Sequence, residues 1–109
     1  DNGLLAKLQL QELYDVQIFD NGYDALTAFQ RHPPDAVLTD ISMPGIDGIE
    51  ILRRMRSNQT LKNIPIAALT AHAMQGDREK YFLYGFDSYA SLPLLEEDTL
   101  LHVVQHLLD

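Results

Sequence analysis

Short apolar runs alternate along this chain with stretches whose apolar residues recur at helical spacing. The clearest run, residues 36–39, ends at Asp40, and similar runs occupy 64–69 and 86–91. Strands that are apolar at nearly every position are typical of a parallel sheet covered on both faces. Their alternation with helices predicts an α/β fold, a doubly wound parallel sheet. We also expect a strand at 16–19 and helices at 4–13, 23–31, 48–56, 74–84 and 96–108.

Length and charge restrict the classes of function that the chain can serve. Its 109 residues suit one domain, 1–109, and its net charge of −8 argues against direct binding to nucleic acid or to anionic membranes. No apolar run approaches the ~18 residues of a membrane span, so we expect no direct membrane insertion. Cysteine is absent, which suits a reducing cytoplasmic location.

Oxygen-bearing side chains stand where predicted strands end. Asp40 and Thr70 each follow an apolar run, and Asp1 would share their position if a strand preceded it. Ligands of doubly wound sheets collect at the carboxyl ends of the strands. Two carboxylates held close together repel each other unless a cation neutralises them, and oxygen ligands favour Mg²⁺. The sequence therefore predicts a magnesium site at this edge of the sheet.

Such a site suits phosphoryl transfer. The carboxylate of Asp40 could attack phosphorus and become an acyl phosphate, while Thr70 donates a hydrogen bond to a phosphoryl oxygen. The loop at Pro44 and Gly45 leaves room for the incoming group. Asp47 directly precedes a predicted helix, so we interpret it as a helix N-cap and not as a second catalytic acid.

Two long segments, "TDISMPGIDGIEILRRMR" and "IPIAALTAHAMQGDREKYFLYGFDSYASLP", resemble the receiver domain of two-component signalling proteins, most closely the receivers of hybrid sensor histidine kinases. The resemblance runs from about residue 15 to the end of the chain. Thr70 follows Asp40 by thirty residues and Tyr89 follows Thr70 by nineteen, as in that family. The resemblance implies a flavodoxin-like fold with strand order 2-1-3-4-5.

The resemblance also implies a role for each matching residue. Asp40 would be the phosphoacceptor, and its donor the phosphohistidine of a histidine kinase or of a histidine phosphotransfer domain. Thr70 would contact the phosphoryl group and move, and Tyr89 would change rotamer in response. Mg²⁺ would be held by Asp1, by Asp40 and by the backbone carbonyl of Ser42.

Further positions match the family in the same way. Ser42 and His72 would tune the rate of dephosphorylation, and the peptide bond before Pro93 would be cis. The surface of the fourth helix, fifth strand and fifth helix would meet partners, in a homodimer or in an intramolecular contact with another domain. The domain alone would turn over no external substrate, although it could belong to a hybrid kinase, a transferase.

The chain departs from the family at three places, one of which is a first helix about a turn shorter than usual, with Tyr14 in place of the glycine before the second strand. Leu92 stands where the family has a lysine, which favours the alternative of a degenerate pseudo-receiver that binds partners without phosphorylation. The family's first strand is absent, so we expect a domain truncated at its N-terminus and a gap inside the sheet. A phosphatase of the haloacid-dehalogenase type would need an acid two residues after Asp40, where this chain has Ser42.

Side-chain patterns complete the expectations. We expect the leucines of the first helix to be mostly core, and three arginines to form a solvated face. Most of the aromatic residues between 81 and 89 should be buried or half-buried, with one or two of them meeting a partner. The arginines are Arg53, Arg54 and Arg56, and the aromatic residues are Tyr81, Phe82, Tyr84, Phe86 and Tyr89.

Overall fold

A computed structural model describes residues 2–41, 45–70, 77–91 and 98–109. The described part contains five helices and three strands, and their order alternates as the apolar runs predict. The elements are α1 (Asn2–Leu10), α2 (Gly22–Arg31), β1 (Val37–Asp40), α3 (Gly48–Arg56), β2 (Ile66–Thr70), α4 (Asp77–Tyr84), β3 (Ser88–Ser91) and α5 (Asp98–Leu108).

The three strands form one parallel sheet in the order β1-β2-β3. Every side chain of β2 is buried, because helices cover both faces of this central strand. On one face, Ala68 belongs to a core cluster that includes residues of α2, α3 and α4. On the other face, Leu69 belongs to a cluster with residues of α1 and α5. The predicted parallel α/β architecture is therefore present, with helices on both faces, although the full five-strand order is not visible.

The prediction of a strand at 16–19 is wrong. Residues 15–19 run without regular secondary structure beside a groove of about 810 Å³, whose opposite wall is the 36–40 segment that contains β1. Val16 and Phe19 still pack against the two core clusters. A strand needs a hydrogen-bonded neighbour, and the groove separates this segment from β1, which pairs with β2 on its other edge. Apolar composition alone therefore did not produce a strand here.

The leucines of α1 also differ from the prediction. Ala6 and Leu10 are buried, whereas Leu4, Leu5 and Leu8 are exposed. The helix packs on α5 through a narrow stripe, so most of its apolar surface remains in contact with solvent. The exposed leucines thus form an apolar surface on α1.

Arg56 is a third departure from the predictions, since it does not belong to a solvated face. Its guanidinium donates to the carbonyl oxygens of Lys62 and Ile64, at 3.1 and 2.7 Å, and pairs with Asp87 at 2.9 Å. The carboxylate of Asp87 also accepts the backbone N–H of Ile66 at 2.9 Å. One ion pair therefore ties the end of α3 to the starts of β2 and β3.

No helix in the described ranges is long and apolar enough to cross a membrane.

Candidate functional site at the carboxyl ends of the strands

The carboxyl ends of β1 and β2 bring Asp40 and Thr70 to one edge of the sheet. Asp40 is opposite Leu69 in the parallel register, so Thr70 lies one residue further along the adjacent strand. Adjacent strands are about 4.8 Å apart, which makes the two residues close neighbours. Thr70 is in turn opposite Ser91, the last residue of β3. Both candidates from separate apolar runs therefore meet at the predicted edge.

The backbone of Asp40 is held from three directions. Thr39 donates its hydroxyl to the carbonyl oxygen of Asp40 at 3.2 Å, and the N–H of Ile41 donates to Leu69 at 3.0 Å, which extends the pairing beyond the strand. Helix α3 begins directly against this backbone. A Cβ atom at Gly48 would stand 2.7 Å from the carbonyl oxygen of Asp40, so only glycine fits. The half-buried Asp40 thus sits on a constrained backbone.

The start of α3 confirms the N-cap role of Asp47. Its carboxylate accepts the backbone N–H of Glu50 at 2.9 Å, and the residue has extended backbone geometry. Gly48 donates its N–H to the carbonyl of Ile41 at 3.1 Å, which closes the loop between β1 and α3. Asp47 therefore satisfies the helix terminus, and it is exposed.

Thr70 is buried and shares a hydrogen bond with Tyr81 of α4, with 2.9 Å between the two hydroxyl oxygens. The ring of Tyr81 lies 6.4 Å from the ring of Tyr89, centroid to centroid, and Tyr89 makes an edge contact with Phe82 at 6.2 Å. The predicted contact residue and the predicted switch residue are thus linked through a tyrosine. From the sequence, Tyr81 is expected only as one member of an aromatic cluster. Nothing in the neighbouring sequence distinguishes Tyr81 from Tyr84, the other tyrosine of α4.

The aromatic residues divide between core and surface. Tyr81 and Phe86 are buried and Tyr89 is half-buried, whereas Phe82 and Tyr84 are exposed. The mixed character that the sequence predicts is therefore confirmed, and the exposed pair lies on α4 with Leu83, which is 87% exposed.

Three charged residues of α3, Glu50, Arg53 and Arg54, interact with one another. Glu50 accepts hydrogen bonds from Arg53 and Arg54, and the bonds lower its pKa from 4.5 to about 2. The same pairing raises the pKa of Arg53. Arg54 also stacks over the ring of Tyr23, 5.6 Å from its centroid. These pairs are exposed, so they contribute little to stability.

Asp40 and Thr70 are the predicted site residues that the described part brings together at the edge, with Tyr89 near them. The remaining ones lie outside the described residues, and their roles stay predictions: Asp1, Ser42, His72, Leu92 and Pro93. Within the described ranges, no three His, Asp or Glu side chains are grouped closely enough to hold a metal ion. Asp40 is the one predicted magnesium ligand that can be assessed, and its half-buried carboxylate suits a hard cation.

Comparison with known proteins decides the family. Residues 2–105 match the model of the response regulator receiver domain. The chain belongs to this family. The receiver is therefore a domain of two-component signalling, in which such domains partner with histidine kinases.

Several relatives agree with this assignment. The receiver is 39% identical over 99 residues to sensor histidine kinase GacS of Pseudomonas protegens, a match that covers 87% of this chain and 11% of GacS. It is 38% identical over 99 residues to the polar-differentiation response regulator DivK of Brucella anthropi, covering 86% and 80% of the two chains. The chain thus spans about one tenth of the length of the first relative and most of the second.

A solved structure supports the fold. The receiver domain of sensor histidine kinase PA1611 from Pseudomonas aeruginosa superposes with a TM-score of 0.85 at 31% identity, covering 98% of this chain and 88% of that one. That protein was crystallised with a magnesium ion coordinated in its active-site cleft. The α/β receiver fold is therefore shown for this chain.

Proposed function

We propose that this receiver accepts a phosphoryl group on Asp40 from a phosphohistidine of a histidine kinase or of a histidine phosphotransfer domain. One observation carries the proposal: Asp40 and Thr70 end adjacent strands at the same edge. A carboxylate oxygen of Asp40 forms a bond to phosphorus as the P–N bond of the phosphohistidine breaks. The bonding electron pair stays on the imidazole nitrogen, and the product is an acyl phosphate.

Mg²⁺ is the proposed cofactor, held by Asp1, Asp40 and the backbone carbonyl of Ser42. The carboxylate of Asp40 offers the oxygen donors that this ion prefers, and the magnesium-bound relative supports the choice. When bound, the ion would supply positive charge against the phosphoryl oxygens. Asp1 and Ser42 enter the proposal through the family resemblance.

The response to phosphorylation is assigned to Thr70 and Tyr89. Thr70 would donate its hydroxyl to a phosphoryl oxygen, and Tyr89 would change rotamer because it packs against the same tyrosine that Thr70 contacts. Ser42 and His72 would set the rate of hydrolysis of the acyl phosphate. The cis peptide bond at Pro93 belongs to the same proposal and rests on the resemblance.

Acetyl phosphate with Mg²⁺ tests the assignment of Asp40. The wild type should gain the mass of one phosphoryl group, and Asp40→Asn should not. Asp47→Asn is the matched control, because asparagine caps a helix as well as aspartate does and the change removes a neighbouring carboxylate. Phosphorylation of Asp40→Asn, or its loss in Asp47→Asn, would contradict the assignment.

The pseudo-receiver remains the second candidate because Leu92 replaces the family's lysine. A lost hydrogen bond to a charged group costs about 1.5–3 kcal/mol, so phosphorylation could become slow or short-lived. If the domain has lost the reaction, Leu92→Lys should gain phosphorylation that the wild type lacks. Equal phosphorylation of the two proteins would remove this candidate.

Exposed apolar residues indicate two partner surfaces. We assign Leu4, Leu5 and Leu8 on α1 to docking of the histidine-bearing donor, and the exposed Phe82 and Leu83 on α4 to a homodimer or to another domain of the same protein. Leu8→Ser should then slow transfer from a phosphohistidine donor and leave the reaction with acetyl phosphate unchanged. Leu83→Ser on α4 is the control, and equal effects of both changes on transfer would contradict the assignment.

The groove beside β1 supports the proposal that the complete sheet has the order 2-1-3-4-5. A further parallel strand between residues 15–19 and β1 would pair with both walls of the groove. The receiver is proposed to act in the cytoplasm, as part of a hybrid sensor kinase. Adding an apolar strand-forming segment before Asp1 should raise the unfolding midpoint in urea. The same segment with a central proline should not, since proline cannot donate to the ladder.

A further inference from the structure

The hydroxyl of Thr70 is engaged inside the protein. Its oxygen lies 2.9 Å from the hydroxyl oxygen of Tyr81, and the two residues are only 2% and 5% exposed. A hydrogen bond between two buried hydroxyl groups is costly to break without a replacement, because each group loses a partner that water cannot replace. Any motion of Thr70 therefore involves Tyr81.

Packing fixes the ring of Tyr81 in this position. Phe86 makes an edge contact with the ring at a centroid distance of 6.4 Å and an interplanar angle of 77°. Tyr89 lies on it at the same distance with a tilt of 32°. The ring therefore has little freedom to follow a hydroxyl that moves away from α4.

The side chain of Thr70 lies on the opposite face of the sheet from that of Leu69, the register partner of Asp40. Ala68 belongs to the core cluster that contains Tyr81, whereas Leu69, the register partner of Asp40, belongs to the cluster with α1 and α5. Since side chains alternate along a strand, Thr70 shares the face of Ala68. A phosphoryl group on Asp40 would thus lie on the other side of the hydroxyl from Tyr81.

We propose that Tyr81 is a positioning residue that holds the Thr70 hydroxyl on the α4 side in the unphosphorylated domain. The inference rests on the proposed function, because the hydroxyl must leave Tyr81 to reach a phosphoryl oxygen. The hydrogen bond stabilises the unphosphorylated conformation and opposes switching. A ligand shifts such an equilibrium only by the difference between its affinities for the two conformations. Because the hydrogen bond favours the unswitched conformation, it lowers the apparent affinity of any ligand that binds the switched one.

Tyr81→Phe tests the proposal, since it keeps the packed ring and removes one hydroxyl. Beryllofluoride with Mg²⁺ serves as the probe for the phosphorylated state. Its affinity for Tyr81→Phe should rise about two- to tenfold over wild type, the factor of one ordinary hydrogen bond. Tyr84→Phe is the matched control, because it removes the same group from an exposed position on the same helix and should bind as the wild type does. Equal or weaker binding by Tyr81→Phe overturns the proposal.

Two further measurements separate this proposal from the one on which it rests. A double-mutant cycle of unfolding with Thr70→Val and Tyr81→Phe should show coupling in the absence of any phosphoryl probe, and additivity would overturn the inferred bond. In the wild type, the ring resonances of Tyr81 should shift as beryllofluoride saturates Asp40, a readout that needs no substitution. If the cycle shows coupling but the wild type does not bind beryllofluoride, the proposed function fails, and the holding role fails with it. Binding with an unmoved Tyr81 would overturn the holding role alone.

Discussion

Replacing Gly48 by alanine is the sharpest test of how the fold holds Asp40. The new Cβ atom would stand 2.7 Å from the carbonyl oxygen of Asp40, 3.1 Å from the Cα atom of Ile41 and 3.2 Å from a methyl group of Thr39. Favourable contacts between carbon atoms begin at about 3.5 Å, so three neighbours are too close. Two of the three are backbone atoms, which cannot rotate out of the way.

The expected cost follows from two opposing effects. Overpacking a close contact typically costs about 1–3 kcal/mol. Alanine regains at most about 1 kcal/mol over glycine in a helix, since it restricts the unfolded chain. Because two of the three short contacts are with backbone atoms, the overpacking cost should lie in the upper part of that range, about 2–3 kcal/mol. We therefore expect Gly48→Ala to lower the free energy of unfolding by roughly 1–2 kcal/mol, or Tm by about 5–15 °C.

Urea denaturation measures the loss, and the amide resonances of Asp40 and Ile41 report where it arises. Gly22→Ala is the matched control: Gly22 also begins a helix and is also buried, but its added Cβ would meet side-chain atoms of Ile46 and Ile51. Both variants should lose stability, and only Gly48→Ala should move the resonances of Asp40. A Gly48→Ala protein that is as stable as wild type, with Asp40 unshifted, would refute the argument.

Three further predictions concern the supporting structure. Asp87→Ala should lower the free energy of unfolding by about 1–3 kcal/mol in urea, because the buried N–H of Ile66 loses its acceptor and Arg56 its partner, and a loss well below that range would contradict it. Met55→Ala should cost about 2–5 kcal/mol in the same assay, since Met55 is 0% exposed in the core, and an unchanged midpoint would count against it. The pKa of Glu50, lowered from 4.5 to about 2, gives a contribution to stability that is fully present above pH 4.5 and is lost as the pH falls towards 2. An NMR titration of its side-chain carboxyl should show this low midpoint and its rise in high salt, whereas an ordinary midpoint at low salt would disprove the pairing.

The amino-acid sequence was sufficient wherever a feature depends on neighbouring residues. The run of apolar residues before Thr70 specified a fully buried parallel strand, because such a strand presents side chains to both faces. Asp47, placed before an amphipathic stretch, specified the start of α3 through the N–H groups of its own first turn. The position of Asp40 at the end of a strand followed from the same local reading, and the rule for parallel sheets then predicted its proximity to Thr70.

Features that depend on distant segments required the tertiary structure. Nothing near Arg56 in the chain indicates Asp87, and nothing near Thr70 indicates which hydroxyl of the following helix contacts it. Residues 15–19 have the composition of a strand, yet their backbone state is decided by whether a hydrogen-bonded neighbour lies beside them. Local propensity selects the candidates for each element because it acts along the chain. Packing and hydrogen bonding choose among them, because these forces act between segments that only the folded chain brings together.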